Sequence, residues 1–319
     1  MNKLVCILGI SLLAAGVAQA ATYTWTGLDA KTRMTNVGNW DAPPVWNNTA
    51  DLILTSAGKA PGSTYNNITA RSITFSNNIT VAYGFGINRA TTLPRSLTMS
   101  ADSGNATMTV QSGISADITI TATYATPDGV VTNQNPLVLA SNLDIVHNGT
   151  GLLNLSARIT GANDIIKTGS GTLRFSSANN DYTGSTVIND GKLTLLSGGQ
   201  LLFDIDDDDV NNSLSGSGQA TLLGRFRFDL TGASTTDGDS WQIVDVANLN
   251  ESFEDSFTAL STVGSFAESD GVWSISENGA DYEFSESTGF LTVIPEPATL
   301  GMVMATAGGI LFIRRRFMM

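Results

Sequence analysis

The fold is decided by a stretch of sequence that occurs three times, as Gly149-Thr150-Gly151-Leu152-Leu153-Asn154-Leu155, as Gly169-Ser170-Gly171-Thr172-Leu173-Arg174-Phe175 and as Asn189-Asp190-Gly191-Lys192-Leu193-Thr194-Leu195. The copies begin twenty residues apart. A fixed period of this size indicates stacked supersecondary units, because each unit buries its apolar face only against its neighbours.

The alternation inside each copy predicts which side chains face the core. Successive side chains of a strand point to opposite faces, so one parity of a half-buried strand is apolar. The apolar parity forms two inward rows: Leu153, Leu173 and Leu193, then Leu155, Phe175 and Leu195. The other parity forms two outward rows: Leu152, Thr172 and Lys192, then Asn154, Arg174 and Thr194. The glycines at 151, 171 and 191 are expected at the turn into each strand, where a positive φ is needed.

These rows predict an all-β fold, a right-handed β-solenoid with one coil per repeat. The composition favours strands over helices, because Thr, Val and Ile suit strands and Asn and Gly suit tight turns. A glycine-rich β-sandwich is the alternative, because three copies are few.

Residues Gly149 to Gly198 resemble the autotransporter-associated β-strand repeat. The resemblance rests on three runs of sequence: Lys167-Thr168-Gly169-Ser170-Gly171-Thr172-Leu173, Asn180-Asp181-Tyr182-Thr183-Gly184-Ser185-Thr186-Val187-Ile188 and Asp190-Gly191-Lys192-Leu193. It implies a passenger-like β-helix on an outer surface.

The sequence on either side of the repeats is also rich in strand-forming residues. Residues 21–148 are expected to form an N-terminal cap and irregular solenoid coils. Trp25, Trp40 and Trp46 suit a cap over the open end of the first coil, with stacking on a sugar as the alternative. Residues 199–293 form an acidic region that either continues the solenoid or makes a small β-domain.

The N-terminus has the features of a secretory signal over residues 1–20. Lys3 precedes an apolar run, and Ala18 and Ala20 form a small-x-small cleavage site. The single cysteine, Cys6, lies inside this segment. The mature chain is therefore expected to begin near Ala21 and to have no thiol for a disulfide or a metal site.

The C-terminus, residues 294–319, contains a tripeptide, a short apolar span and a basic end. Pro295, Glu296 and Pro297 precede Ala298 to Ile313, which has no charge. A helix of that length measures about 24 Å, which makes a marginal transmembrane helix. The basic end consists of Arg314, Arg315 and Arg316.

This tail closely resembles the PEP-CTERM sorting signal. The resemblance implies recognition by an exosortase, an inner-membrane stage and removal of the span. The family is associated with Gram-negative cells that secrete exopolysaccharide, which is therefore an expected partner. The secretion machinery is the other expected partner, and the expected destination is the cell surface or extracellular matrix.

Charge is distributed unevenly along the chain. Residues 21–197 hold ten basic and ten acidic residues, whereas residues 198–292 hold two basic and eighteen acidic residues. An acidic surface repels phosphate backbones, so nucleic acid is not an expected partner.

Few residues could support catalysis. His147 is the only histidine, so a triad, a histidine zinc site or a histidine base would need it. A lone histidine beside a turn is expected to be an exposed surface residue. The outward rows of the repeats contain no carboxylate pair of the kind that cleaves glycosides. No catalytic residue and no cofactor are expected.

One acidic run has the spacing of a metal loop. Asp204, Asp206 and Asp208 imitate the start of a calcium loop, but the sixth position is Asp209 instead of glycine and the twelfth is Ser215 instead of glutamate. An EF-hand is excluded. The run is predicted to be a solvated acidic turn, with weak calcium binding as the alternative.

The sequence as a whole favours a non-enzymatic exported protein of the cell surface or matrix, with an adhesive role as a hypothesis. The alternative is a polysaccharide-binding or polysaccharide-cleaving protein on the same scaffold. A surface groove with acidic and aromatic side chains would favour the alternative.

Overall fold

The computed structural model describes residues 20–29, 33–55, 67–76, 78, 81–84, 96–121 and 135–295. Within these ranges the chain is all-β, with a single 3₁₀ turn at Val37–Asn39 and no α-helix. None of these residues belongs to a helix long and apolar enough to cross a membrane. Residues 1–19 of the predicted signal (1–20) and residues 296–319 of the predicted tail (294–319) lie outside the described residues.

The strands are short and follow one another closely along the chain. The first ten are β1 (Ala21–Thr24), β2 (Ala50–Leu54), β3 (Ile68–Ala70), β4 (Ser72–Phe75), β5 (Val81–Gly84), β6 (Leu97–Met99), β7 (Ala106–Val110), β8 (Ile118–Thr121), β9 (Leu137–Leu139) and β10 (Leu143–His147). The next ten are β11 (Leu152–Leu155), β12 (Ile159–Thr160), β13 (Ile165–Thr168), β14 (Thr172–Phe175), β15 (Thr186–Ile188), β16 (Lys192–Leu195), β17 (Gln200–Asp204), β18 (Leu214–Gly216), β19 (Gln219–Leu222) and β20 (Arg225–Asp229). The last seven are β21 (Ser240–Gln242), β22 (Asn250–Phe253), β23 (Thr258–Ser261), β24 (Ala267–Ser269), β25 (Val272–Glu277), β26 (Ala280–Ser285) and β27 (Phe290–Ile294).

Four of the five sheets are parallel. The eight-stranded sheet has the order β1-β2-β4-β7-β10-β13-β15-β18, and the seven-stranded sheet has the order β22-β19-β16-β14-β11-β8-β5. The four-stranded sheet (β12-β9-β6-β3) and the three-stranded sheet (β17-β20-β23) are smaller. From β5 to β13 the chain visits the seven-stranded, four-stranded and eight-stranded sheets in that order, three times over. From β17 onward the three-stranded sheet takes the place of the four-stranded sheet. This arrangement is consistent with a β-helix, whereas a β-sandwich is built from antiparallel sheets.

The predicted register of the repeats is confirmed. Leu153 pairs with Leu173 and Leu173 pairs with Leu193, each in parallel strands of the seven-stranded sheet. Both inward rows are fully buried, and both outward rows are partly exposed. The twenty-residue interval does not extend to the next circuit, because Leu193 pairs with Ala220. The longer circuit accommodates the acidic turn that follows β17.

The predicted role of the repeat glycines is correct only for Gly191, which has a φ of +69°. Gly151 and Gly171 do not have a positive φ; the left-handed residue of the second copy is Gly169 (φ +74°). Gly151 is needed for close approach instead. A Cβ at this position would lie 2.2 Å from the carbonyl oxygen of Ala116.

The four-stranded sheet ends at β12, and the next circuit follows it with a segment that is not a strand. Asp181 and Thr183 donate backbone hydrogen bonds to Ile159 and Gly161 of the preceding circuit, at 3.0 and 2.9 Å. The buried Asn180 side chain accepts from the Ile159 N–H at 2.9 Å and donates to the Gln200 carbonyl at 3.1 Å. One amide side chain thus joins the four-stranded sheet to the three-stranded sheet.

Additional elements pack on both ends of the parallel core. At the N-terminal end, the rings of Trp25 and Trp40 meet edge to face at 5.3 Å, and those of Trp40 and Trp46 at 5.8 Å. Trp25 and Trp40 are buried, so these two rings are not available to stack on a sugar. The predicted tryptophan cluster is confirmed.

The C-terminal end is covered by a five-stranded antiparallel sheet in the order β21-β27-β26-β25-β24. Two of its hairpins turn at Asp270-Gly271 and Asn278-Gly279, and all four of these residues have a positive φ. Two central residues with positive φ are typical of the type I′ turn that suits a twisted hairpin. The acidic region therefore does both things that the sequence left open: β17 to β20 and β22 to β23 extend the parallel sheets, and an antiparallel sheet follows.

Candidate functional site

A buried lysine lies near the C-terminal end of β13, at the inner corner where the chain turns through Thr168 and Gly169. Lys167 occupies the core row between Ile145 and Ile188 and is completely buried. Its ammonium donates to the backbone carbonyl oxygens of Thr168 (2.8 Å), Gly169 and Asp190 (3.1 Å). Burial, opposed by the charge of Asp190, lowers the pKa of Lys167 to about 8. The lysine binds together the turns of two successive circuits.

His147 lies beside this corner and is buried, so the prediction of an exposed surface residue is wrong. The side chain is 1 % exposed, and its Nδ1 accepts a hydrogen bond from the Gly149 N–H at 3.2 Å. A Cβ on Gly171 would lie 2.3 Å from Nδ1, which means that the ring packs directly on the Gly171 backbone. The missing side chain at 171 makes room for the imidazole.

Acid should destabilise the protein through His147. Burial and then the positive charge of Lys167 lower the pKa of His147 to about 4, whereas an unfolded histidine has a pKa of about 6.5. Between these values the unfolded state binds a proton that the folded state does not, so stability falls as the pH falls from 7 to 4.5. In chemical denaturation at several pH values, the stability difference between wild type and His147→Gln should shift in favour of the variant as the pH falls.

The difference between the two proteins removes the carboxylate titrations that they share. A difference that stays constant from pH 7 to 4.5 would contradict the assignment.

Neither His147 nor Lys167 reaches solvent, so this corner stabilises the fold and offers no group to a substrate.

The acidic run forms a tight turn on the surface, as predicted. Asp206 N–H donates to Val210 C=O at 3.0 Å, and Asp209 adopts a φ of +61°. Asp206 and Asp208 are exposed, and Asp208 Oδ1 accepts from the Ser240 N–H at 2.9 Å. Burial raises the pKa of Asp204, with smaller contributions from the charges of Asp206 and Asp229.

The turn does not assemble the ligand set of a metal. In the part of the chain that the structure describes, no three carboxylate, histidine or cysteine side chains converge on a common centre. Weak calcium binding by Asp204, Asp206 and Asp208 stays the untested alternative to a solvated turn.

A groove of about 310 Å³ lies between the end of β22 and the antiparallel sheet. No motif in the sequence predicts it. Its lining residues are acidic or aromatic, with one glycine: Phe253, Glu254, Asp255, Phe257, Glu268, Gly271, Trp273 and Glu286. Glu268 Oε1 accepts from the Gly271 N–H at 3.0 Å, and Glu286 Oε1 accepts from the Trp273 indole N–H at 2.8 Å. Two carboxylates are thus held in fixed positions beside Gly271.

The aromatic rings of the groove belong mainly to the core. Phe257 and Trp273 are 3 % and 8 % exposed, and their rings meet edge to face at 5.3 Å. What the groove presents to a ligand is therefore mainly negative charge and hydrogen-bond acceptors, together with the half-buried ring of Phe253. The Asp270-Gly271 hairpin signal could have located one wall of the groove, but nothing in the sequence shows that this hairpin lies beside β22.

Most of the predicted processing residues lie outside the described residues: Ala18, Glu296, Pro297, Arg314, Arg315 and Arg316. Ala20 immediately precedes β1. Pro295 is exposed and directly follows the last residue of β27. The described fold therefore occupies the sequence between the two predicted processing sites.

Residues 165–195 match the passenger-associated-transport-repeat family. The match covers β13 to β16 with the Asn180 segment between them. This repeat is associated with autotransporters, and it indicates a region similar to an autotransporter passenger. No curated protein and no solved structure is significantly similar to the chain.

Proposed function

We propose that the chain is a non-enzymatic exported protein of the cell surface or extracellular matrix, built as a right-handed β-solenoid. The observation that carries the proposal is the passenger-type repeat at residues 165–195 within parallel sheets that run in register from β1 to β23. Parallel crossover connections are right-handed in almost all proteins, which supports the proposed hand. An adhesive role is the proposed use of this surface.

Both ends of the chain are proposed to be processed. The N-terminal segment acts as the export signal and is removed near Ala20. The C-terminal segment resembles a PEP-CTERM signal, and we propose that it anchors the exported protein in the inner membrane until an exosortase-type protease cuts it. The accessible position of Pro295 after β27 supports this order of events.

Mature protein from its native host should lack Arg314 to Arg316. The two prolines keep the motif from joining a helix, and the arginines hold the far end of the span on the cytoplasmic side. Mass spectrometry of the C-terminal peptide, with fractionation of the cells, checks this prediction.

Replacing Pro295, Glu296 and Pro297 with three alanines supplies the matched comparison. Export should continue, but the protein should stay in the inner membrane with its tail intact. A wild-type surface protein that still ends at Met319 would contradict the sorting proposal and leave a simple tail anchor.

The second candidate function is polysaccharide binding or cleavage, and the groove beside β22 is the observation that favours it. Carboxylates such as Glu268 and Glu286 are acceptors for sugar hydroxyls. The candidate ranks second because the rings of Phe257 and Trp273 are buried, which leaves the half-buried Phe253 as the one ring of the groove on which a sugar could stack. Binding of neutral oligosaccharides that is lost in Glu268→Gln would favour this candidate.

A further inference from the structure

The last circuit leaves one parallel sheet without a covering strand. Beyond β18, the eight-stranded sheet continues through a bridge between Leu214 and Val244, and β23 is covered by the Leu260–Ser265 bridge. The seven-stranded sheet ends at β22, and none of the described residues pairs with the outer edge of this strand.

The free edge of β22 offers backbone groups for pairing. Asn250 and Glu254 donate to the preceding circuit, at Gly218 and Leu222. Alternate backbone groups of a strand point to opposite edges, so the N–H and C=O groups of Glu251 and Phe253 point away from the sheet. An unpaired edge of this kind accepts an extended segment as an additional strand.

Glu251 determines which segment fits. It continues the inward row of Leu193 and Ala220, a row that is apolar in every described circuit before it. Its Oε2 is buried and has no hydrogen-bond partner among the described residues. The next inward residue is Phe253, which continues the row of Leu195 and Leu222.

An added strand would place one of its own side chains directly beside Glu251. An apolar side chain there would leave a carboxylate oxygen buried without a partner, which is costly. A lysine or arginine would pair with it. The surrounding charge has the same preference, because Glu254, Asp255 and Glu268 line the groove at the end of β22.

We infer that the β22 edge is a docking site for an extended segment of another protein that carries a lysine or arginine two residues from an apolar residue. The cation pairs with Glu251 and the apolar side chain packs on Phe253. A second copy of this chain does not meet the requirement with β5, the other end of the same sheet, since its sequence is Val-Ala-Tyr-Gly.

The probes are two labelled eight-residue peptides built from Thr and Val, identical except for one position two residues before a Val. One peptide has Lys at this position and the other has Glu. Fluorescence anisotropy with the purified protein should show binding of the Lys peptide and none of the Glu peptide. Hydrogen exchange should show slower exchange at the amides of Glu251 and Phe253 when the Lys peptide is bound.

Glu251→Gln should weaken binding of the Lys peptide by at least about tenfold, because the variant removes one partner of a buried charge pair. Glu283→Gln is the control, since Glu283 lies on the outward face of β26, and it should bind as wild type does. The comparison of the Lys peptide with the Glu peptide uses the wild-type protein, so the inference stays testable if Glu251→Gln does not fold.

Three results would overturn the inference. The first is equal binding of the Lys and Glu peptides. The second is sedimentation that shows the wild-type protein pairing with itself through β22. The third is that a neutral oligosaccharide slows hydrogen exchange at the amides of Glu251 and Phe253 whereas neither peptide does.

Discussion

Leu173→Asp is expected to destabilise the folded protein by about 4 kcal/mol or more, because a buried charge without a partner belongs to the most damaging class of substitution. Leu173 is fully buried in the middle of an inward row, between Leu153 and Leu193. Urea unfolding followed by circular dichroism should show a much lower midpoint or no folded baseline.

Thr172→Asp is the matched control, one residue earlier in the same strand. Thr172 points outward and pairs with Lys192, so the new carboxylate is solvated and faces a positive charge. Its effect should stay within about 0.5 kcal/mol of wild type. Equal destabilisation by the two variants would show that the inward and outward parities are misassigned.

Phe284→Ala is expected to cost about 3–5 kcal/mol, the usual range for removal of a buried aromatic ring. Phe284, on β26 of the antiparallel sheet, contacts three rings of the parallel sheets, Phe226 at 5.8 Å, Phe228 at 5.6 Å and Phe253 at 6.0 Å, and the ring of Phe257 just before β23 at 6.4 Å. The cavity would lie where the antiparallel sheet meets the last circuit. Limited proteolysis should therefore cut β24 to β27 in the variant before it cuts the repeats.

Phe290→Ala gives the comparison on the same sheet. Phe290 is only half-buried, so its truncation should cost about 1 kcal/mol and leave the proteolysis pattern unchanged. Equal effects of the two truncations would mean that the aromatic cluster does not join the sheets.

The repeat could be predicted from the sequence because its information is local. Each copy carries its own alternation, so the rows through Leu173 and Phe175 follow from the spacing alone. The burial of His147 could not be predicted in this way, since its ring fits against Gly171 in the following circuit. The sequence shows that residue 171 is a glycine, but it does not show that His147 lies next to it in the fold.

The sequence left open a small β-domain after residue 199, and the antiparallel pairing of its strands was also within reach of the sequence. Asp270-Gly271 and Asn278-Gly279 are the strongest short signals for a hairpin, and each lies between residues that favour strands. The groove and the free edge of β22 were out of reach. Both depend on how far one sheet extends past its neighbours, which no local stretch of residues specifies.

Because each circuit pairs only with the circuit before it and the circuit after it, a gene for this protein can change in length without a change in architecture. A tandem duplication of the twenty residues from Leu153 to Thr172 would insert one more circuit between two that already match its rows. The insertion would make the molecule longer by about 4.8 Å, the spacing between paired strands, and would leave the structures at both ends as they are. Unequal recombination at the repeats would thus supply variants that differ in length and share the same terminal surfaces.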